Sequence, residues 1–159
     1  MIRFSGTLAA GAATAAALAI VATGAVAGNA NIRSLACTAQ VVNQTIHYCG
    51  PARATLSAFP GVTFRNGTCR HQILQSGPLL SLGLGVRTQN AATNGGKAYF
   101  GLTISGKLSR PTGGGVIAYA NGKRWGGKGV SFHSTASGGT FVVRGIRGST
   151  GTKTGTFHC

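Results

Sequence analysis

Two of the four histidines and two of the four cysteines in this chain stand in mirror-image pairs, His47-Tyr48-Cys49 and Cys69-Arg70-His71. Residues two apart on a strand point the same way, so each pair could chelate from one face. Together His47, Cys49, Cys69 and His71 would make a tetrahedral Cys₂His₂ zinc site. The spacing matches no finger or ribbon pattern. In an oxidising compartment the same residues form a disulfide with two histidines at the rim of the core, and this is the expectation, with no metal and no cofactor. The expected pairs are Cys49–Cys69, tying a strand to a hairpin, and Cys37–Cys159, joining both ends of the domain. Closing so long a loop adds about 4 kcal/mol on the chain-entropy model.

Proton transfer by histidine is the other chemistry these residue types offer. His47, His71, His133 and His158, with Lys123 or Lys128, supply the groups that cleave RNA through a cyclic phosphate. Their spacing brings no two of them together. The surrounding chemistry is sparse, because the chain holds fifteen Lys and Arg but no Asp or Glu. That excludes a carboxylate pair for glycoside hydrolysis, an acid to orient a catalytic histidine, and an oxygen cage for Ca²⁺ or Mg²⁺. No Gly-x-Ser-x-Gly elbow is present either. The expectation is a protein that does not catalyse. Without side-chain carboxylates, thermal stability is expected to stay nearly flat from about pH 5 to pH 2 at moderate salt, because acid unfolding follows carboxylate protonation.

Charge points to binding. The full chain carries +15, and loss of Arg3 with an N-terminal leader leaves +14. Such a charge attracts teichoic acids, acidic polysaccharide, anionic lipid or nucleic acid. The densest basic segment is Lys123-Arg124-Trp125-Gly126-Gly127-Lys128, where an indole among cations could stack on a sugar ring or base. Against this, a lone tryptophan is more often a core residue. Arg65 and Arg70 form a second candidate patch. No groove-reading helix or aromatic strand platform is evident, so nucleic acid is expected only through nonspecific phosphate contacts. An acidic protein partner is the third class that a cationic exported chain could meet.

The elements that must position these residues are strands. An apolar, Ala-rich run from Leu8 to Val26 after Arg3, closed by Ala25-Val26-Ala27, reads as a cleaved signal peptide over residues 1–27. A retained anchor is the competing reading, weakened by the Ala, Gly and Thr content of the run. The chain would then be secreted or held at the cell envelope without stable membrane insertion. Residues 28–36 lack periodicity and read as a flexible segment. Residues 37–159 read as one disulfide-stapled β domain.

Within that domain short apolar runs alternate with Gly, Asn, Ser and Thr, and Asn-Gly occurs three times, at Asn66, Asn94 and Asn121. A turn at Asn66-Gly67 would place Val62, Phe64, Cys69 and His71 on a core face. Thr63, Arg65, Thr68 and Arg70 would then face solvent. A turn at Asn121-Gly122 would set Val116, Ala118 and Trp125 on one face and Ile117, Tyr119 and Arg124 on the other. Further strands are expected at Thr38–Val42, Thr45–Cys49, Ala54–Phe59, Leu79–Thr88, Lys97–Leu108, Val130–Thr135, Thr140–Ile146 and Lys153–Cys159. The fold class is all-β, an antiparallel β-sandwich or jelly-roll-like domain.

The Cys49-Gly50-Pro51-Ala52 opening, the Phe64-Arg65-Asn66-Gly67-Thr68-Cys69 stretch and the Thr154-Gly155-Thr156-Phe157-His158-Cys159 ending resemble uncharacterised exported β-proteins of actinobacteria. The final Gly-x-Phe-x-Cys strand is distantly similar to the mycobacterial lipoprotein-antigen family. That resemblance implies a small envelope β-domain without an established enzymatic activity, and it carries over no functional residue. Cys37 follows Ser34-Leu35-Ala36, which is not a lipobox, so lipid anchoring is not implied. The resulting expectation is a secreted cationic domain associated with anionic polymers of the cell envelope or its surroundings. A histidine-dependent nuclease or hydrolase, or an effector with an acidic protein partner, is the alternative.

Overall fold

A computed structural model describes residues 39–159 of the chain. The expected leader, the flexible segment and Cys37 lie outside the described residues. Apolar alternation decides the elements, as in Leu80, Leu82 and Leu84, which are buried between the more open Ser81, Gly83 and Gly85. Eleven strands result: β1 (Gln40–Val42), β2 (Thr45–His47), β3 (Arg53–Leu56), β4 (Thr63–Phe64), β5 (Gly67–Leu74), β6 (Gly77–Arg87), β7 (Tyr99–Lys107), β8 (Arg110–Ala120), β9 (Lys123–Thr135), β10 (Gly138–Gly145) and β11 (Thr152–His158). The named strand pairs are all antiparallel.

The strands form one sheet in the order β1-β2-β6-β7-β8-β9-β10-β11-β3-β4, with β5 also paired to β6. Neighbouring strands lie about 4.8 Å apart, so Phe100 on β7 and Phe64 on β4 would be separated by about 29 Å on a flat sheet. Their ring centroids are 5.3 Å apart. The sheet is therefore folded over on itself, and opposed strands share one apolar core that includes Leu84, Phe100, Phe141, Val143 and Phe157. The all-β antiparallel expectation describes this architecture.

Two contacts bring the ends of the sheet together. Gly67 at the start of β5 donates its N–H to Gly50 at 3.2 Å and accepts from Ala52 at 3.0 Å, next to β3. Two residues on, Cys69 forms a disulfide with Cys159 after β11, with Cα atoms 5.3 Å apart across 90 residues of chain. This bond overturns both expected pairings, Cys49–Cys69 and Cys37–Cys159. The reason is the closure itself, which sets β5 beside the end of β11.

The Asn66-Gly67 hairpin is also corrected. Asn66 has φ 63°, but Gly67 is outside the left-handed region that the type I′ turn favoured by Asn-Gly requires of both residues. β4 pairs with β3, and β5 pairs with β6. Gly67 is small for a different reason: a Cβ there would collide with the Gly83 carbonyl and the Leu84 side chain. His71 keeps the face of Cys69 but is not buried. Its register sets it opposite the core residue Leu80, yet β5 is exposed from Arg70 to Leu74 and His71 with it. The Asn121-Gly122 turn does form, with φ 53° and 69°, and pairs Ala118 with Trp125 and Tyr119 with Arg124.

Candidate functional site

The outward residues of the central strands line up in cross-strand rows. One row runs Arg70 (β5), Ser81 (β6), Thr103 (β7), Gly115 (β8), Lys128 (β9) and Arg144 (β10). Beside it run Thr68, Gly83, Gly101, Ile117 and Gly126. A third row holds Gly85, Tyr99, Tyr119 and Arg124. Lys128 and Arg144 are direct partners on one face, an arrangement that repels, and the chain holds no Asp or Glu to separate them. Cations thus stand at both ends of the first row, with two hydroxyls and a glycine between them.

All three tyrosines of the chain gather beside these rows. Tyr48 and Tyr99 have ring centroids 5.7 Å apart, and Tyr99 and Tyr119 6.3 Å. The Arg87 guanidinium lies 5.8 Å from the Tyr99 ring centroid, within cation–π range. Glycines make the seats for two of these rings. A Cβ at Gly83 would overlap the Tyr48 ring, and one at Gly101 would meet the Tyr99 hydroxyl at 2.5 Å. Burial, reinforced by the neighbouring Tyr48, pushes the Tyr99 phenol well above its usual pKa, and Arg87 opposes that rise in part.

The loop between β6 and β7 fixes the tyrosine end. Asn94 is 1% exposed. Its side-chain oxygen accepts from the Thr88 N–H at 2.7 Å, and its amide donates to the Val86 and Lys97 carbonyls at 2.7 and 2.8 Å. Three backbone groups that would otherwise be orphaned are satisfied by one side chain. The loop in turn accepts the Tyr119 hydroxyl on the Ala91 carbonyl at 2.8 Å.

Between the β1–β2 hairpin and the outer sheet face lies an open trough of about 670 Å³. Ser81, Thr103 and Gly115 line it together with Ile46, Tyr48 over Gly83, Tyr99 against Gly101, and Arg70 and Arg87. A second depression shares Ile46, Arg87 and Ile117 with it and adds Tyr119 and Arg124. The surface is amphipathic and mostly apolar: aliphatic side chains such as Val41, Ile46, Ile117 and Ile146 with the tyrosines and glycine backbone, then a few hydroxyls and guanidinium groups.

The structure separates the residues singled out from the sequence. Arg70 lines the trough. Arg124 sits beside Tyr119, and Lys128 closes the row through Gly115. Lys123 is exposed at the hairpin end, paired with Ala120 rather than sharing the face of Arg124. Trp125 is 7% exposed and belongs to the core, so it offers no stacking surface. Arg65 lies in the β4–β5 connection, and the hairpin face it was to share with Arg70 does not exist. Cys69 is committed to a disulfide, so the Cys₂His₂ zinc alternative with His47, Cys49 and His71 loses a ligand. Among the described residues no cluster of three metal-ligating side chains occurs.

Arg87, Tyr48, Tyr99, Gly83 and Gly101 were not anticipated as site residues. The signal was in the Ser81-Leu82-Gly83-Leu84-Gly85 alternation, which gives the core large leucines and leaves the other face nearly bare. Elsewhere, His133 and His158 border one shallow depression with Ser134 and Ser137. They stand two strands apart, on β9 and β11, and two residues out of row, about 12 Å on the strand spacing and rise. Among the described residues no helix is long and apolar enough to cross a membrane. The disulfide is compatible with an extracytoplasmic location. No protein-family model, curated protein or solved structure matches the chain.

Proposed function

We propose that this protein is a secreted or envelope-associated, non-catalytic domain that binds anionic polymers across the outer face of its sheet. The observation that carries the reading is the row from Arg70 to Lys128 and Arg144, with cations at both ends and no acid in the chain to neutralise them. Four strand spacings separate Arg70 from Lys128, about 19 Å along the sheet. That suits a polymer lying across the strands better than a single small anion. The directly opposed Lys128 and Arg144 add a second reason, because their mutual repulsion is relieved when an anion sits between them. The cleaved leader, extracytoplasmic residence and likeness to small actinobacterial envelope proteins belong to the same proposal.

The test is binding of the chain from Gly28 onward to teichoic acid, acidic polysaccharide, anionic vesicles and DNA over a salt series. Steep salt dependence is expected, and each of Arg70→Gln, Lys128→Gln and Arg144→Gln should lower the slope by about one. Weak binding to every polymer, unchanged by salt, overturns the reading. The shared depression of His133 and His158 keeps a histidine hydrolase as the second reading. Phosphodiester cleavage lost on His133→Ala and on His158→Ala would establish it.

A further inference from the structure

We infer that the trough beside the cation row is a subsite for a sugar ring, so that the preferred polymer is an acidic glycan rather than a ring-free polyanion; this rests on the polyanion-binding reading above. A ring-free polyphosphate needs only spaced cations. The trough offers more than that. The half-buried Tyr48 ring, seated over Gly83, borders it beside the small Gly115, which gives an aromatic face for the C–H face of a pyranose. Ser81 and Thr103 stand in the row between Arg70 and Gly115 and line the same trough. Hydroxyls there can exchange hydrogen bonds with sugar hydroxyls, while Arg70 and Arg87 at the rim take a carboxylate or phosphate borne on the ring. An acyl chain would gain from the apolar wall but would leave both serine and threonine hydroxyls facing hydrocarbon, which is costly. Nucleobases could also lie flat, but the two hydroxyls in the trough match a ring that carries its own hydroxyls around its edge.

The wall is also braced. Tyr99 is 5% exposed and Tyr119 is tied to the Ala91 carbonyl, so the aromatic side does not need ordering when a ligand arrives.

The experiment compares polygalacturonate with linear polyphosphate of matched charge, across salt, on the wild-type chain and two trough variants. Thr103→Val keeps the branched shape and removes the hydroxyl. Thr103→Trp fills the trough from an exposed strand position that tolerates an aromatic. Wild type should favour polygalacturonate by at least about tenfold and keep part of that preference at high salt. Thr103→Val should weaken polygalacturonate by about two- to tenfold and leave polyphosphate unchanged. Thr103→Trp should abolish the preference while its circular dichroism and melting match wild type. Equal binding of both polymers, indifferent to Thr103→Trp, overturns the sugar subsite and leaves the polyanion reading standing. Binding of neither polymer at low salt overturns both. Anionic vesicles outcompeting polygalacturonate for the trough would assign the apolar wall to lipid and likewise overturn the subsite.

Discussion

The inner and outer faces of the same strands use the same backbone for opposite purposes. On β7, Phe100, Leu102 and Ile104 point inward and are each at most 1% exposed, while Tyr99, Gly101 and Thr103 face the trough. Across β6 to β8 the inner row Leu82-Leu102-Val116 is all aliphatic, and the adjacent outer row Ser81-Thr103-Gly115 is small and polar. The aromatic residues divide accordingly, with buried phenylalanines inside and all three tyrosines outside the core cluster. One face is filled to exclude water. The other carries small and polar residues, with the Tyr48 ring and the Tyr99 hydroxyl seated over two of its glycines.

Removing volume from the filled face should produce the largest effect. Phe100→Ala should cost about 3–5 kcal/mol, since its ring touches the core from both sides of the folded sheet, near Phe64 and Phe141. On the outer face, Thr103→Ala should cost less than about 1 kcal/mol. Urea unfolding of both variants measures the contrast. Comparable losses at the two positions would mean that the outer face is also packed for stability.

Closure of the sheet is the next term. Replacing Cys69 and Cys159 together by alanine should cost about 2–4 kcal/mol, mainly by freeing the unfolded chain over a 90-residue loop. Because β5 carries Arg70 and Thr68, the loss should also weaken polymer binding below the melting temperature. Peptide mapping without reduction checks the connectivity first, and a Cys69–Cys159 peptide is expected.

Asn94→Ala should cost about 1–3 kcal/mol, with three backbone groups left unsatisfied. Asn94 also holds φ 54°, which alanine adopts poorly. Hydrogen exchange should report the damage locally, over the loop and the Tyr119 end of the trough, while β10 and β11 stay protected. Protection lost evenly across the sheet would show that the loop is part of the core's cooperative unit.

These contrasts also show what the sequence made legible. Alternation located nearly every strand, because a half-buried strand must alternate, and the Asn121-Gly122 turn followed from two residues that tolerate positive φ. The same dipeptide misled at Asn66, where Gly67 is demanded by a close backbone approach to Gly83 in a strand 16 residues later. Disulfide pairing was hidden for a related reason, since it depends on how far the sheet curls. Glycine was read as punctuation, but much of it seats aromatic rings. Trp125 lies over Gly127, Phe132 over Gly129, Phe141 over Gly155 and Tyr48 over Gly83, each where a Cβ would collide with the ring. Such pairs are not adjacent by any fixed spacing, so the trough could not be assembled from the chain alone. The cations were visible, but which of them share a face was not: Arg70 and Lys128 lie in one row while Lys123, beside Arg124 in sequence, does not.

The smallest effect is a pH asymmetry that separates the faces by their ionisable groups. On the acid side no Asp or Glu exists to be protonated, so stability should stay nearly flat from about pH 5 to pH 2. On the alkaline side the outer face contributes Tyr99, whose folded-state pKa is raised chiefly by burial. A raised pKa means that the folded state holds the proton more tightly than the unfolded chain does. Its contribution is then fully present below the unfolded tyrosine value of about 10 and is lost as pH rises from there through the folded value. Lysine deprotonation also changes the protein in this range, but equally in a variant that lacks only the hydroxyl. The difference between wild type and Tyr99→Phe is therefore the quantity to measure, by urea unfolding from pH 8 to 11. It should be constant up to about pH 10 and then move steadily against wild type. A constant difference throughout would mean that the phenol ionises as freely in the folded protein as in the unfolded chain, and that the tyrosine wall of the trough is wetter than its burial implies.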